Sequence, residues 1–478
     1  MVYGLWFVAV MLAAAECSSY AADWSGWPNW RGPRCDGSGI DVGGRMAESF
    51  EEATHLWTND ERVPGTYEHD ARSGGNRLKS RVPAGYASPV VVDGRVYLAY
   101  YVPNGPVYDK GVTARVVPNG GWGRESWYTD ADDVILCVDA NTGKTLWKRV
   151  FAEEAWNLEA GFNKGGCQLT PCVAYGKVYA IGPGADIYCC DAKTGETVWK
   201  SDLGIRARYQ NDLKQGSREI GAIWGGRNDF GGCVIPAGNV IAVSDHWEYK
   251  LGPRTMAKGN GLIGFDPDTG RRLWYVPGAG GNGMLGSTPM RWTHRGKEYF
   301  LAYGVAGALC IDPKDGKVLW QSAELRFSNA GAVDENHIYC EGPKGLSCYK
   351  IDLEGPTKKW ELGQGMGFTS PCLYKGHLYA LLDKTGIVCI NVESGKIVAK
   401  AEQQGGAFSL ALADGRLCMS ASNRGKSGMS VLIADPKNLK KIGVWPVSFA
   451  NSTSPAMADG KVFIRGRDRL LCYDLRVK

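Results

Sequence analysis

The chain repeats itself, and a repeat constrains a fold more than any local motif, because a unit unable to bury its own apolar face must stack on its neighbours. One half of the unit is a short hairpin, Ser88-Pro89-Val90-Val91-Val92-Asp93-Gly94-Arg95-Val96-Tyr97. It returns from Thr170-Pro171, Ser370-Pro371 and Ser454-Pro455, and in looser form from Cys233, Pro289, Gly331 and Ser409. The other half runs from Ile135 through Asp139-Ala140-Asn141-Thr142-Gly143 to Trp147, and returns ending at Trp199, Trp274, Trp320 and Trp360 before decaying around Lys396 and Lys440. Alternating apolar residues mark strands, and the Asp-Gly and Thr-Gly steps supply the positive φ of tight turns. Four short antiparallel strands in eight units predict an all-β, eight-bladed β-propeller. The eighth unit runs out after its third strand, at Asp474–Lys478, while an orphan strand, Thr54–Thr58, precedes the first hairpin. Pairing the two closes the ring and removes two exposed edges.

The Asp-x-x-Thr-Gly-x-x-x-Trp unit resembles the tryptophan-docking repeat of the pyrroloquinoline-quinone (PQQ) propeller family. Trp27-Pro28-Asn29-Trp30-Arg31-Gly32-Pro33 is similar to the leader of bacterial secreted PQQ-like repeat proteins. The resemblance covers residues 27 to 478 and implies the fold strongly. For function it implies two different things, since quinoprotein dehydrogenases and a non-enzymatic outer-membrane-assembly factor share the repeat.

Residues 5–15 form a short apolar core followed by small and polar residues, with Ser19-Tyr20-Ala21 as a small-x-small cleavage site. This reads as a secretory signal peptide over 1–22, then a leader over 23–53 and a single propeller over 54–478. Cys17 does not make a lipidation box, because Glu16 stands where a small residue belongs. The expected location is periplasmic or secreted, with no transmembrane anchor. A net charge of +5 on 478 residues carries no basic run. Arg465, Arg467 and Arg469 alternate as on the solvated face of a strand, so no nucleic-acid partner is expected. The protein is expected to be monomeric.

Cys189-Cys190 is the one adjacent cysteine pair, and such a pair can close into a strained ring against a redox cofactor. Alignment of the repeats argues for packing instead. Cys137, Cys310, Cys348, Cys389 and Cys472 fill the slot of Cys189, and successive strand side chains point to opposite faces. Asp139-x-Asn141-x-Gly143 and Asp266-x-Asp268-x-Gly270 start like calcium loops, but the glycine is one position early and no bidentate Glu follows. No metal site and no cofactor are therefore expected. PQQ with calcium remains the alternative that the resemblance implies, through a vicinal disulfide, a Glu/Asn/Asp calcium site and a catalytic Asp.

Every large insertion falls in connections on one face of the ring: residues 60–86, 102–132, 152–168, 202–232, 245–261 and 277–286. They gather over blades 1 to 3. Of the six histidines, only His69 and His246 belong to that ornate face. A site is expected there with His246, Tyr249 and Arg227 as catalytic groups. Trp122, Arg124, Arg208, Tyr209, Trp224, Asn228, Asp229, Trp247, Glu248 and His69 would bind the ligand. Aromatic planes with Arg and carboxylates suit an acidic saccharide, from which His246 would take a proton as general base while Arg holds the carboxylate. The leading expectation is thus a propeller that binds a small molecule or glycan and degrades it by lyase or hydrolase chemistry. A quinoprotein dehydrogenase and an assembly-type scaffold without chemistry are the alternatives.

Overall fold

The structure, a computed structural model, describes residues 25–63, 67–73, 76–82, 87–103, 115–118, 125–128, 131–155, 170–182, 186–202, 233–251, 254–280, 288–304, 306–326, 331–366, 369–402, 406–423, 426–447, 449 and 453–477. Among these residues there is no helix. Eight four-stranded antiparallel sheets form a propeller. Blade 2 shows the plan, with strands Cys172–Ala174, Lys177–Ile181, Asp186–Asp191 and Thr197–Asp202 hydrogen-bonded in sequence order. The first strands of neighbouring blades meet around the axis. Blade 8 is composite: Ala456–Ala458, Lys461–Arg465 and Leu470–Asp474 are completed by Thr54–Thr58, with Thr54 opposite Asp474.

Local chemistry explains the regularity. In seven of the eight blades the first hairpin turns through residues of positive φ, as at Asp93 (49°) and Gly94 (68°), which is the twist-compatible two-residue turn; blade 5 turns at Glu335 and Asn336 without it. In the outer hairpin, Asp191 Oδ1 accepts from the Lys193 and Thr194 amides at 2.9 and 2.8 Å, and Asp139 and Asp266 repeat the arrangement. The calcium-like spacing is therefore that of a turn. Third and fourth strands carry a β-bulge at the same place in every blade, for example between Cys189 and Cys190.

Two sequence expectations are corrected. Arg465 is fully buried and donates from Nη1 to the Ala87 carbonyl at 3.1 Å, while Arg467 and Arg469 lie in the following turn rather than on a strand face. The stretch 245–261 is not a loop but a continuation of blade 3, where Val240–Leu251 pairs with Arg254–Phe265 far beyond the ring.

Candidate functional site

Long strands carry the ornate face. In blade 1, Arg95–Pro103, Ala131–Asp139 and Thr145–Ala155 outrun their counterparts in blade 2, and in blade 3 the central pair has twelve residues in each strand. Tyr67–Ser73 with Asn76–Val82, and Arg115–Pro118 with Glu125–Tyr128, form two further hairpins. His69 lies opposite Ser80 in the first of these. His246, Trp247, Glu248 and Tyr249 lie opposite Asn260, Gly259, Lys258 and Ala257 in the blade 3 hairpin. The side chains of these five residues lie outside the described residues. Trp122, Arg124, Arg208, Tyr209, Trp224, Arg227, Asn228 and Asp229 lie outside them altogether.

At the root of this face sits a polar cluster that sequence reasoning missed. Tyr188 Oη donates to Asp133 Oδ2 at 2.7 Å, Phe151 stacks on the Tyr188 ring at 3.9 Å, and Lys200 Nζ lies 3.8 Å from Asp186. Burial, then the charges of Asp133 and Asp186, drive the Tyr188 hydroxyl far above its ordinary range. Tyr188 is thus a fixed proton donor that ties blade 2 to blade 1, and it cannot act as a base. The only sequence signal was its place just before the cysteine pair.

The axis is filled by the leader. Trp27 pairs with Val91 of blade 1, and the Val173 amide of blade 2 donates to the Pro28 carbonyl at 2.9 Å. Arg31 donates to the carbonyls of Pro371 and Leu410, Arg291 donates to that of Pro33, and Ser38 bridges to Leu412. Trp30 Nε1 donates to Ser454 Oγ at 2.8 Å. The Ser454 amide donates to Ser88 Oγ at 2.8 Å, and the Ser88 amide to Thr170 Oγ1 at 3.0 Å. The Ser-Pro and Thr-Pro steps of the repeat thereby link blades around the axis. On the plain face, a cleft of about 590 Å³ opens between the leader and blades 5 and 6. Four of its charges pair within the cleft, Arg34 with Asp36 at 3.0 Å and Lys375 with Asp41 at 2.8 Å.

The cysteine pair does not fit a quinone site. Cys189 lies opposite Tyr179 and Trp199 and packs with Ile241 and Val243 of blade 3. Cys190 lies opposite Val178 and packs with Val90 and Tyr97 of blade 1. Both are free and buried, on opposite faces of one strand, so no vicinal disulfide is supplied. Among the described residues, no group of three or more His, Cys, Asp or Glu is placed to hold a metal ion.

Comparison with known proteins places the chain more firmly. The family model described as outer membrane protein assembly factor BamB matches residues 131–323 and 258–477, together well over half the sequence. A curated protein of that name from Shewanella oneidensis is 25% identical over 269 residues, covering 52% of this chain and 61% of its own length. The match therefore spans less than two thirds of that relative. Among solved structures, BamB from Moraxella catarrhalis aligns over 79% of this chain and 97% of its own, at 15% identity and a TM-score of 0.42. Quinohemoprotein alcohol dehydrogenase from Comamonas testosteroni aligns over 96% and 82%, at 15% identity and 0.43.

The family match overturns the expectation of a saccharide-binding or saccharide-degrading protein, and with it the small-molecule or glycan partner. The physical reason for the error lies in the residue types. Trp, Tyr and Arg suit a sugar, but they are equally the side chains enriched at protein–protein contacts, so composition could not separate the two.

Proposed function

The chain belongs to the family whose model describes the outer membrane protein assembly factor BamB, and from that premise we propose that it is a non-enzymatic docking scaffold acting outside the cytoplasm. The observation that carries this reading is the family match over 131–477. Residues 1–22 would serve as the export signal. The ornate face over blades 1 to 3 would be the docking surface, with Trp122, Arg124, Arg208, Tyr209, Trp224, Arg227, Trp247 and Tyr249 as anchors. Large planar side chains of this kind bury much area at little entropic cost and dominate binding energy. His69, His246, Asn228, Asp229 and Glu248 would form its polar rim.

A photo-crosslinking residue at position 247 tests the reading against the same residue at position 375 on the plain face. Capture of an outer-membrane assembly component from position 247 and not from position 375 is the expected result. Equal capture at both, or none at 247, would refute the proposal.

A further inference from the structure

Six of the eight seams between blades carry one staple, in which a tryptophan on the fourth strand donates Nε1–H to a carbonyl in the outer turn of the next blade. Trp57 reaches Ala140 at 3.1 Å, Trp147 reaches Ala192 at 3.2 Å, and Trp199 reaches Pro267 at 3.0 Å. Trp274, Trp320 and Trp360 reach Pro313, Asp352 and Val392 at 2.8, 2.8 and 2.7 Å. The two remaining seams lack it. Between blades 6 and 7, Ala399 stands opposite Cys389, where other blades place tryptophan. Between blades 7 and 8, Gly443 stands opposite Val431, and Trp445, two residues on, has a buried Nε1 with no hydrogen-bond partner. Blade 8 also has no turn to receive a staple, since its third and fourth strands come from opposite ends of the ring.

One segment crosses both of these seams. Asp41 Oδ2 accepts from Tyr374 Oη of blade 6 at 2.7 Å and from Lys375 Nζ at 2.8 Å, while its Oδ1 accepts from the Asp414 amide of blade 7 at 2.6 Å. Asp414 Oδ1 in turn accepts from the amides of Val42 and Gly43 at 2.7 and 2.9 Å. Arg416 of blade 7 donates to the carbonyls of Ala47 and Met46, each at 2.8 Å. In blade 8 the Ala47 amide donates to Leu475 at 2.7 Å, and the Val477 amide donates to Arg45 at 2.9 Å. Phe50 then packs 5.5 Å from Trp445 and 5.8 Å from Tyr473.

We propose that residues 41–50 are a strap that latches blades 6, 7 and 8 in place of the missing tryptophan staples, and that the ring opens at these seams when the strap lifts. The inference is independent of the docking reading. The stapled seams are closed by indole rings fixed within the repeat, buried at Trp57, Trp199 and Trp320 and half-buried at Trp147, Trp274 and Trp360. At its Asp41 end the strap is held by polar contacts near the surface, such as the bridge to Lys375, whose side chain is 70% exposed, while Met46 and Ala47 in its other half are buried. Solvent-screened contacts of this kind are weak and reversible. This sector is therefore the low-stability end of the molecule.

Hydrogen exchange of the full chain tests it, with Asp41→Ala and Phe50→Ala as strap variants and Trp199→Ala as a stapled-seam control. The strap variants should speed exchange of Ile397–Ala401, Lys440–Trp445 and Leu470–Asp474 roughly tenfold while blades 2 and 3 stay at the wild-type rate. Trp199→Ala should do the reverse. Exchange that rises evenly around the ring in the strap variants, or does not rise at all, overturns the proposal. Where Asp41→Ala does not fold, Asp41→Asn removes the charge and keeps one acceptor, for the Asp414 amide, while its amide nitrogen replaces the oxygen that accepts from Tyr374 and Lys375; the same pattern is expected at smaller size.

Discussion

Cys189 lies directly opposite Trp199, and the pairing recurs as Cys137 with Trp147, Cys310 with Trp320, Cys348 with Trp360 and Cys472 with Trp57. A small side chain is needed there because the bulge that follows turns the indole toward the next blade. The ring then lies over a glycine: a Cβ on Gly195, where φ is 73°, would enter the Trp147 ring. Trp199 is buried, so Trp199→Ala should cost about 3–5 kcal/mol, read as a lower denaturant midpoint. The thiols have the opposite character to a redox site. Burial pushes Cys190 up to about 11 and Cys189 higher still, so both are protonated and inert at neutral pH. All thirteen described cysteines are free and buried. A thiol reagent should therefore find them closed in the native protein and open after unfolding without reductant. The full sequence carries fifteen cysteines, so fewer than fifteen reactive thiols after unfolding of the full chain would mean that disulfides form.

At the scale of the element, the outer turns set the response to acid. The Thr194 amide is the largest influence on Asp191 and holds its carboxyl below the usual range. For Asp139 and Asp266 burial pushes upward, but the amides and hydroxyls of Thr142 and Thr269 outweigh it, and both carboxyls are lowered. A carboxyl depressed on folding adds stability that is complete above its unfolded pKa and lost as pH falls through the folded one. Thermal stability should thus hold from neutral pH to about 4 and decline below it. Asp191→Asn should flatten that decline. These turns were legible because each is a five-residue local pattern. The blade 3 hairpin was not, because a strand that outruns its repeat looks like an insertion until its partner is known.

Across the whole molecule, the repeat determined the blade count and the closing strand, because every period encodes its own turns and its own apolar alternation. Sequence alone also reduced the adjacent cysteines to packing residues, through the register they share with sister units. The tertiary structure decided what no local pattern holds. Leader residues bind partners far away in sequence, as Trp30 does with Ser454, 424 positions on, so neither the filled axis nor the strap has a local signature. Arg465 was misread for the same reason, since only the packed ring shows that its strand ends inside. The candidate docking residues stayed ambiguous because they lie outside the repeat and their chemistry serves sugars and proteins alike. Periodic local interactions can be read from the order of residues, whereas contacts between distant segments exist only once the ring has closed.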